Sequence, residues 1–332
     1  LRTHNFCKEL AKRHESYLVF FDEPDSAINP GQSLGVEAWQ SLPPAPRHGR
    51  SRRRLLRFSN ARLLELSVPD YLAKSREAIR ALCERWQIDV ILCLSPGIAE
   101  IVVDMDVPKI LEYCDSGTLT LQRVLANRGS DLSVLERAKV HLRKARQGSL
   151  ERTFLRTFDH ATTISSADKQ SFLDVSQVSP DKVTVVPNGV DEKALAAGDT
   201  KCERQRSVVF WGNLDFPPNW TAVEYFFDSI YRPYLSNANV EWHIFGRGAS
   251  ERLEQIARHE NVYLHGFVDD LFSEVAKQGI MINSMVEGSG LKNKVLEAFA
   301  CRVPVVSTSL GIEAIDAVPD RHYVKADDPR EF

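Results

Sequence analysis

The chain has 332 residues, 43% hydrophobic and 26% charged; this is the composition of an ordinary globular protein with room for about two domains, and no uninterrupted apolar run approaches the ~18 residues of a membrane span. Its net charge of −3 is unevenly placed: Lys and Arg outnumber Asp and Glu by 27 to 23 up to residue 190, and are outnumbered 15 to 22 after it. Six cysteines, at 7, 83, 93, 114, 202 and 301, form no CxxC pair, which disfavours a structural zinc or a disulfide framework and fits free thiols in a reducing cytoplasm.

The opening LRTHNFCKELAKRHE has no apolar core beside a cleavage site and does not read as a signal peptide. SYLVFF (16–21) reads as a strand. Between Glu37 and Glu65 there is no acid but there are seven arginines: Arg47, Arg50, Arg52, Arg53, Arg54, Arg57 and Arg62. Such a run is either a solvated face or loop, or a surface drawn to anionic membrane headgroups or a phosphate-bearing acceptor. It lacks the interleaved aromatics and the fold signature of a nucleic-acid site, so no nucleic-acid partner is expected. DYLAKSREAIRALCERW (70–86) has a helical period, with Leu72, Ile79, Leu82 and Trp86 near one face. DVILCL (89–94) and PKILEYCD (108–115) read as strands, and 119–158 as a long helical tract broken near 127–130. ATTIS (161–165) is a short strand, a helix runs through Leu173, and KVTVVPNGVD (182–191) follows. Strands alternating with helices predict a parallel, doubly wound sheet.

Residues 191–206 lose periodicity and gather Gly, Asp and Lys, so they are expected to link a domain over 1–190 to one over 207–332. The alternation then restarts. SVVFWG, VEWHIFG, NVYLHG, GIMINS and VPVVSTS read as strands, and WTAVEYFFDSIY, SERLEQIARH, DDLFSEVAKQ and KNKVLEAFAC as the helices between them. The predicted fold class is α/β, two Rossmann-like domains facing a cleft.

In open parallel sheets, ligands bind beyond the carboxyl ends of the strands. Here those ends read Gly212-Asn213, Gly246-Arg247-Gly248, Gly266-Phe267, Asn283-Ser284 and Thr308. The stretch VEGSGLKNKVLEAFACRVPVVSTS (286–309) is the most informative. A helix starting near Leu291 would offer its free N–H groups and dipole to an anion. Gly288 and Gly290 would let that loop approach closely, and Lys292 and Lys294 would add mobile positive charge at an end where the dipole prefers acids. Glu297, one turn on, could accept two hydrogen bonds from a diol, as acidic residues do for ribose. Phosphates at the loop and ribose at the glutamate would make a nucleotide diphosphate. The alternative is a surface Lys294–Glu297 pair with glycines that merely turn the chain.

GSGLKNKVLEAFACRVPVVSTSLGIEAI, with VVPNGVD before the linker and VVFWGNLDFPPNWTAVEYF and VYLHGFVDDL between, resembles the retaining glycosyltransferases of family 4, which have the GT-B architecture. The resemblance runs over nearly the whole chain and is nearest to the sugar transferases of bacterial exopolysaccharide and related surface-glycan pathways. It implies that Glu297 is the ribose-binding carboxylate ending a motif of two glutamates; counting back, Ser289 stands where the first would be, with Glu287 two residues early. The family's Arg and Lys for the donor phosphates follow the first strand of the second domain, where this chain has GNLDFPPN, with Asn213 and no basic residue. Lys292 and Lys294 are expected to take that role. Gly212 and Asn213 after the first strand, and Ser289, Gly290 and Leu291 before the last long helix, are expected to bind the donor, and the resemblance assigns Phe267 and Val268 to the base pocket. Arg247 falls near the phosphates or in a surface salt bridge. Asp115 stands where many relatives have a histidine facing the donor; it would orient acceptor or sugar, or cap the next helix. The family starts with a strand and Gly-rich loop ahead of the helix at Leu1 and ends with helices beyond ADDPREF, so the chain is expected to be truncated at both ends.

The reading implied is a hexosyltransferase that moves a sugar, with retention, from a nucleotide-diphosphate donor to a glycan or lipid-linked acceptor. It would need no metal and no cofactor, and would act in the cytoplasm or peripherally at the inner face of the membrane. The rivals are a nucleotide-sugar 2-epimerase of the same fold and a non-catalytic sugar-nucleotide-binding scaffold subunit. A dinucleotide oxidoreductase lacks support, since no GxGxxG follows any strand.

Overall fold

The computed structural model describes residues 2–22, 34–46, 64, 67–129, 132–200, 202–248, 250–288 and 290–332. The arginines from 47 to 62 and Ser289 lie outside the described residues. The chain divides into two compact units, one of Leu1–Gln122 and Asp131–Val186, the other of Arg123–Ser130 and Pro187–Phe332.

The first unit runs α1 (Arg2–Ala11), β1 (Tyr17–Phe21), β2 (Ala38–Leu42), α2 (Pro69–Arg85), β3 (Ile91–Cys93), α3 (Ala99–Val102), β4 (Lys109–Cys114), α4 (Gly117–Arg128), α5 (Val134–Thr157), β5 (His160–Thr163), α6 (Ser166–Ser176) and β6 (Val183–Val185). β3, β4, β5 and β6 form a parallel sheet in that order, and β1 pairs with β2, also parallel. The helix starts follow local chemistry. Pro69 opens α2 where its missing N–H has no partner to lose. Ser133 and Glu136 cap α5 reciprocally, and Ser165 caps α6. Leu111, Leu155, Phe158 and Phe172 are fully buried between sheet and helices. Inside β4, Glu112 is 2% exposed yet receives both arms of the Arg2 guanidinium, each at 3.0 Å. Burial pushes its carboxyl up; hydrogen bonds from Arg2 and Thr162 reverse this and leave it below its ordinary value.

The second unit runs α7 (Glu192–Asp199), β7 (Ser207–Trp211), α8 (Pro217–Phe226), a π-helical segment (Phe227–Leu235), β8 (Glu241–Phe245), α9 (Glu251–Ile256), β9 (Val262–Gly266), α10 (Leu271–Ala276), β10 (Ile280–Asn283), α11 (Asn293–Ala300), β11 (Val305–Ser307), α12 (Ser309–Ile312) and β12 (Val324–Lys325). Its six-stranded sheet is parallel, in the order β12-β11-β10-β7-β8-β9. Alternation along β7 feeds two cores. Val208 and Phe210 join Trp242 and the α8 side chains on one face, while Val209 and Trp211 join Met281 and residues of α7 and α11 on the other. The expected helix over WTAVEYFFDSIY changes character at Phe227, where the wider turn accommodates Pro233, a residue with no N–H for an α-helical ladder.

The expected linker 191–206 is corrected in part. It holds α7, which Asp191 caps through the Lys193 N–H and which buries Ala194 and Ala197 in the second core.

Candidate functional site

The sheet of the second unit grows from β7 through β8 to β9 on one side, then resumes with β10 and β11 on the other. The switch point is therefore between β7 and β10, where the carboxyl ends of a doubly wound sheet open a crevice. The loops there are bonded to one another. The Gly212 N–H donates to the Phe245 carbonyl at 3.0 Å, Leu214 N–H to Arg247 at 2.8 Å, and Gly246 N–H to Gly266 at 2.8 Å. Gly246 has a φ of 151°, and a Cβ there would lie 1.8 Å from the Gly212 carbonyl oxygen. Only glycine lets these two loops meet.

The loop before α11 is also anchored. Ser284 and Thr308 hydroxyls donate to the Ala222 and Met285 carbonyls at 2.9 and 2.6 Å. Thr221 of α8 donates to the Glu287 carboxylate at 2.9 Å, tying this loop to that helix. Gly288 and Gly290 take left-handed φ values of 110° and 70°. The helix starts at Asn293, two residues later than the sequence suggests, with Lys292 as its N-cap. The first amides of a helix lack the regular i−4 partner; here no side chain caps them, and the Val295 N–H turns back to the Lys292 carbonyl at 2.9 Å.

The two lysines were expected to be mobile; the structure corrects this. Lys292 is 6% exposed and donates to the Gly290 carbonyl at 2.8 Å. Lys294 is partly buried, donates to Asn219 Oδ1 at 2.6 Å and lies 4.1 Å from the centre of the Phe210 ring. Burial and the neighbouring Lys292 bring its pKa down to about 7, against the opposing pull of Glu297. Glu297 accepts from Trp211 Nε1 at 2.8 Å. Burial pushes its carboxyl up, while the Trp211 N–H and Lys294 restrain it and Asp191 adds to the rise. Asn188 of the PNGVD segment donates to Asn293 Oδ1 at 2.8 Å, at the start of the same helix. The three quoted segments PNGVD, GNLDFPPN and GLKNKVLEAF thus converge on the amino end of α11.

The other expected residues spread along the same edge. Gly212 is in the bonded rim, and Asn213 is exposed and turns its own loop by accepting the Asp215 N–H at 3.1 Å. Arg247 forms no surface salt bridge among the described residues; its guanidinium carbon stacks 4.0 Å from the centre of the Phe267 ring, which is 58% exposed. Val268 packs against the core below. Gly290 is buried and Leu291 partly buried. Asp115 belongs to the first unit. It is exposed beside Cys114, whose φ is 62°, and the helix cap is its neighbour Ser116, which accepts the Leu119 N–H at 3.1 Å. Sequence reasoning missed Trp211 and Asn219, the partners of Glu297 and Lys294. The nearest signal was the polar Asn219 inside an otherwise apolar helix start.

Residues 1–189 match the family described as glycosyl transferase 4-like domain, and residues 205–332 match glycosyl transferases group 1. No curated protein matches in sequence. The fold is similar to that of Anabaena HepE in complex with UDP and glucose, with a TM-score of 0.62 and 13% identity over 99% of this chain and 83% of that one. A glycosyltransferase from Rickettsia africae gives 0.59 and 11% over 95% and 85%. The N-terminal domain of Candida albicans trehalose-6-phosphate phosphatase gives 0.60 and 12% over 93% and 79%. At such identities the likeness is one of fold, the GT-B architecture.

Proposed function

The chain belongs to the glycosyltransferases, with a glycosyl transferase 4-like domain over 1–189 and a group 1 domain over 205–332, and from that premise we propose that it is a retaining hexosyltransferase of family 4. Its donor is a nucleoside-diphosphate sugar bound at the amino end of α11. The observation that carries this reading is the gathering of Lys292, Lys294 and Glu297 around uncapped helix amides at the switch point. The amides and lysines suit the diphosphate, and the Glu297 carboxylate suits the ribose diol. The exposed Arg247–Phe267 stack suits the base.

Departure of the sugar leaves a third negative charge growing on the diphosphate. Lys294, whose pKa is brought down to about 7, is driven fully to its charged form by an anion beside it, and Lys292 and the helix amides add fixed positive potential. No separate Lewis acid is needed for this step. The acceptor proton passes to the leaving phosphate, so no strong side-chain base is called for. In the first unit, Asp115 is the candidate for contact with a glycan or lipid-linked acceptor. The arginines from 47 to 62 are the candidates for an anionic membrane surface, with the enzyme working in surface-polysaccharide synthesis at the cytoplasmic face. Among the described residues no helix is long and apolar enough to cross a membrane. HepE was crystallised with UDP and glucose, so uridine is the first base to try.

Calorimetry with UDP-, GDP- and ADP-sugars, followed by product assay, tests the reading, with Glu297→Ala as control. Binding of one nucleotide, weakened at least tenfold in the variant, supports it. No binding by the wild type removes it.

A further inference from the structure

Lys294 leaves α11 on the face of the sheet that buries Trp211, but its amine ends among groups of the opposite face. Phe210 lies beneath it, and its hydrogen-bond acceptor is Asn219 of α8, a helix whose Ala222, Val223 and Phe226 pack with Phe210. Asn219 is 8% exposed, and both ends of its side-chain amide are bonded, Oδ1 to the Lys294 amine and Nδ2 to the Asn213 carbonyl. Its Nδ2 donates to the Asn213 carbonyl at 2.9 Å, and its backbone N–H donates to Phe216 at 2.9 Å. Because Nδ2 is committed to a carbonyl, Oδ1 must face the amine. Gly212 makes this possible, since a Cβ there would lie 2.7 Å from Asn219 Nδ2.

The charged groups around Lys294 are Lys292 and Glu297, which act on it in opposite senses. Asn219 therefore supplies a neutral, rigid acceptor where net charge does little to hold an ammonium. The sequence has no basic residue in GNLDFPPN, the loop from which relatives were expected to reach the phosphates. The same segment instead grips a lysine that comes from α11.

Resting on the reading of Lys294 as a diphosphate contact, we propose that Asn219 is a positioning residue: it holds the Lys294 amine across the end of the sheet and favours its charged form, without touching the donor itself. Leucine at 219 would keep the shape and remove the acceptor. Aspartate would keep an acceptor and add a negative charge. The two changes must therefore move the protonation of Lys294 in opposite directions.

The experiment measures that protonation directly, by competitive amine labelling of Lys294 with a mass-spectrometric readout in the wild type, Asn219→Leu and Asn219→Asp. Circular dichroism checks each fold, and affinity for UDP, GDP and ADP is measured across the same pH range. The wild-type midpoint is expected at about 7. It falls by about one pH unit in Asn219→Leu and rises by about one to three in Asn219→Asp. The alkaline loss of nucleotide affinity moves with it. A merely structural role would weaken binding in both variants without separating the midpoints, and that result overturns the proposal. If the wild type binds no nucleotide, the diphosphate reading falls, while the labelling midpoints still decide whether Asn219 governs the charge of Lys294.

Discussion

Replacing Trp211 by Phe removes one hydrogen bond from a partly buried carboxylate, and the cost should depend on pH in a way that a packing defect does not. Trp211 is 3% exposed and its Nε1–H donates to Glu297 Oε2 at 2.8 Å. Loss of a hydrogen bond to a charged acceptor costs about 1.5–3 kcal/mol, and the smaller ring adds roughly 1 kcal/mol for imperfect packing. Burial already holds the Glu297 carboxyl above its ordinary value. For such a group, stability is fully present below the unfolded pKa and is lost as pH rises through the folded one. Phe at 211 takes away a donor that favours the charged carboxylate and so raises the folded value further. The variant should then lose about 2.5–4 kcal/mol at pH 8 but only the packing part, ~1 kcal/mol, near pH 4. Urea unfolding followed by far-UV circular dichroism at both pH values measures the difference, with the two units fitted separately. An equal loss at pH 4 and pH 8 would show that the indole N–H does not restrain Glu297.

Gly246→Ala should disrupt the second unit by ~3 kcal/mol or more, because the new methyl would sit against the Gly212 carbonyl and the backbone φ is unfavourable for alanine; a shift of that unit's denaturant midpoint checks it, and an unchanged midpoint refutes it. His265 is an exposed residue whose Nε2 stands 2.9 Å from His243 Nδ1; partial loss of water around its ring first, then that neighbour, lower its pKa. A base held low protonates more readily once unfolded, so stability should decline as pH falls through about 6.5. His265→Gln should flatten that slope in thermal melts between pH 7.5 and 5.

The parallel strands were legible because buried strands read as apolar runs between glycines, and because those runs alternate with helical periods. Glycine at the ends of β7, β8 and β9 marked the crevice for the same physical reason that fixes Gly246. The helix α7 was not legible: EKALAAGD is only eight residues, contains Gly198, and is stabilised by tertiary burial of Ala194 and Ala197. The Asp191-Glu192 start was its one local signal. Lys292 and Lys294 were legible as a cluster but not as buried groups, since their partners are a carbonyl two residues back and an amide 75 residues away. Likewise, nothing in the local pattern ties Trp211 to Glu297 across 86 residues. Contacts of that separation exist only once the sheet order has placed β7 next to β10.

A lysine whose pKa is brought down to about 7 costs the fold stability, and the cost has a measurable sign. Between about 7 and 10.5 the unfolded chain binds a proton at residue 294 that the folded chain does not. Stability at this site therefore rises with pH across that window. Lys294→Met fills the same space with a side chain suited to the Phe210 ring and carries no charge. It should stabilise the unliganded protein by ~1–4 kcal/mol at pH 7, the range seen when buried charges give way to apolar groups of similar volume. That gain should shrink toward pH 10. The same change should weaken binding of a nucleoside diphosphate at least tenfold, since the growing charge loses its nearest cation. Melts from pH 6.5 to 10, read beside calorimetric affinities, separate the outcomes. A variant that is less stable at pH 7, or whose advantage is flat across the range, would mean that Lys294 is an ordinary structural lysine. A variant that is more stable and binds worse is what a site trading stability for anion binding requires.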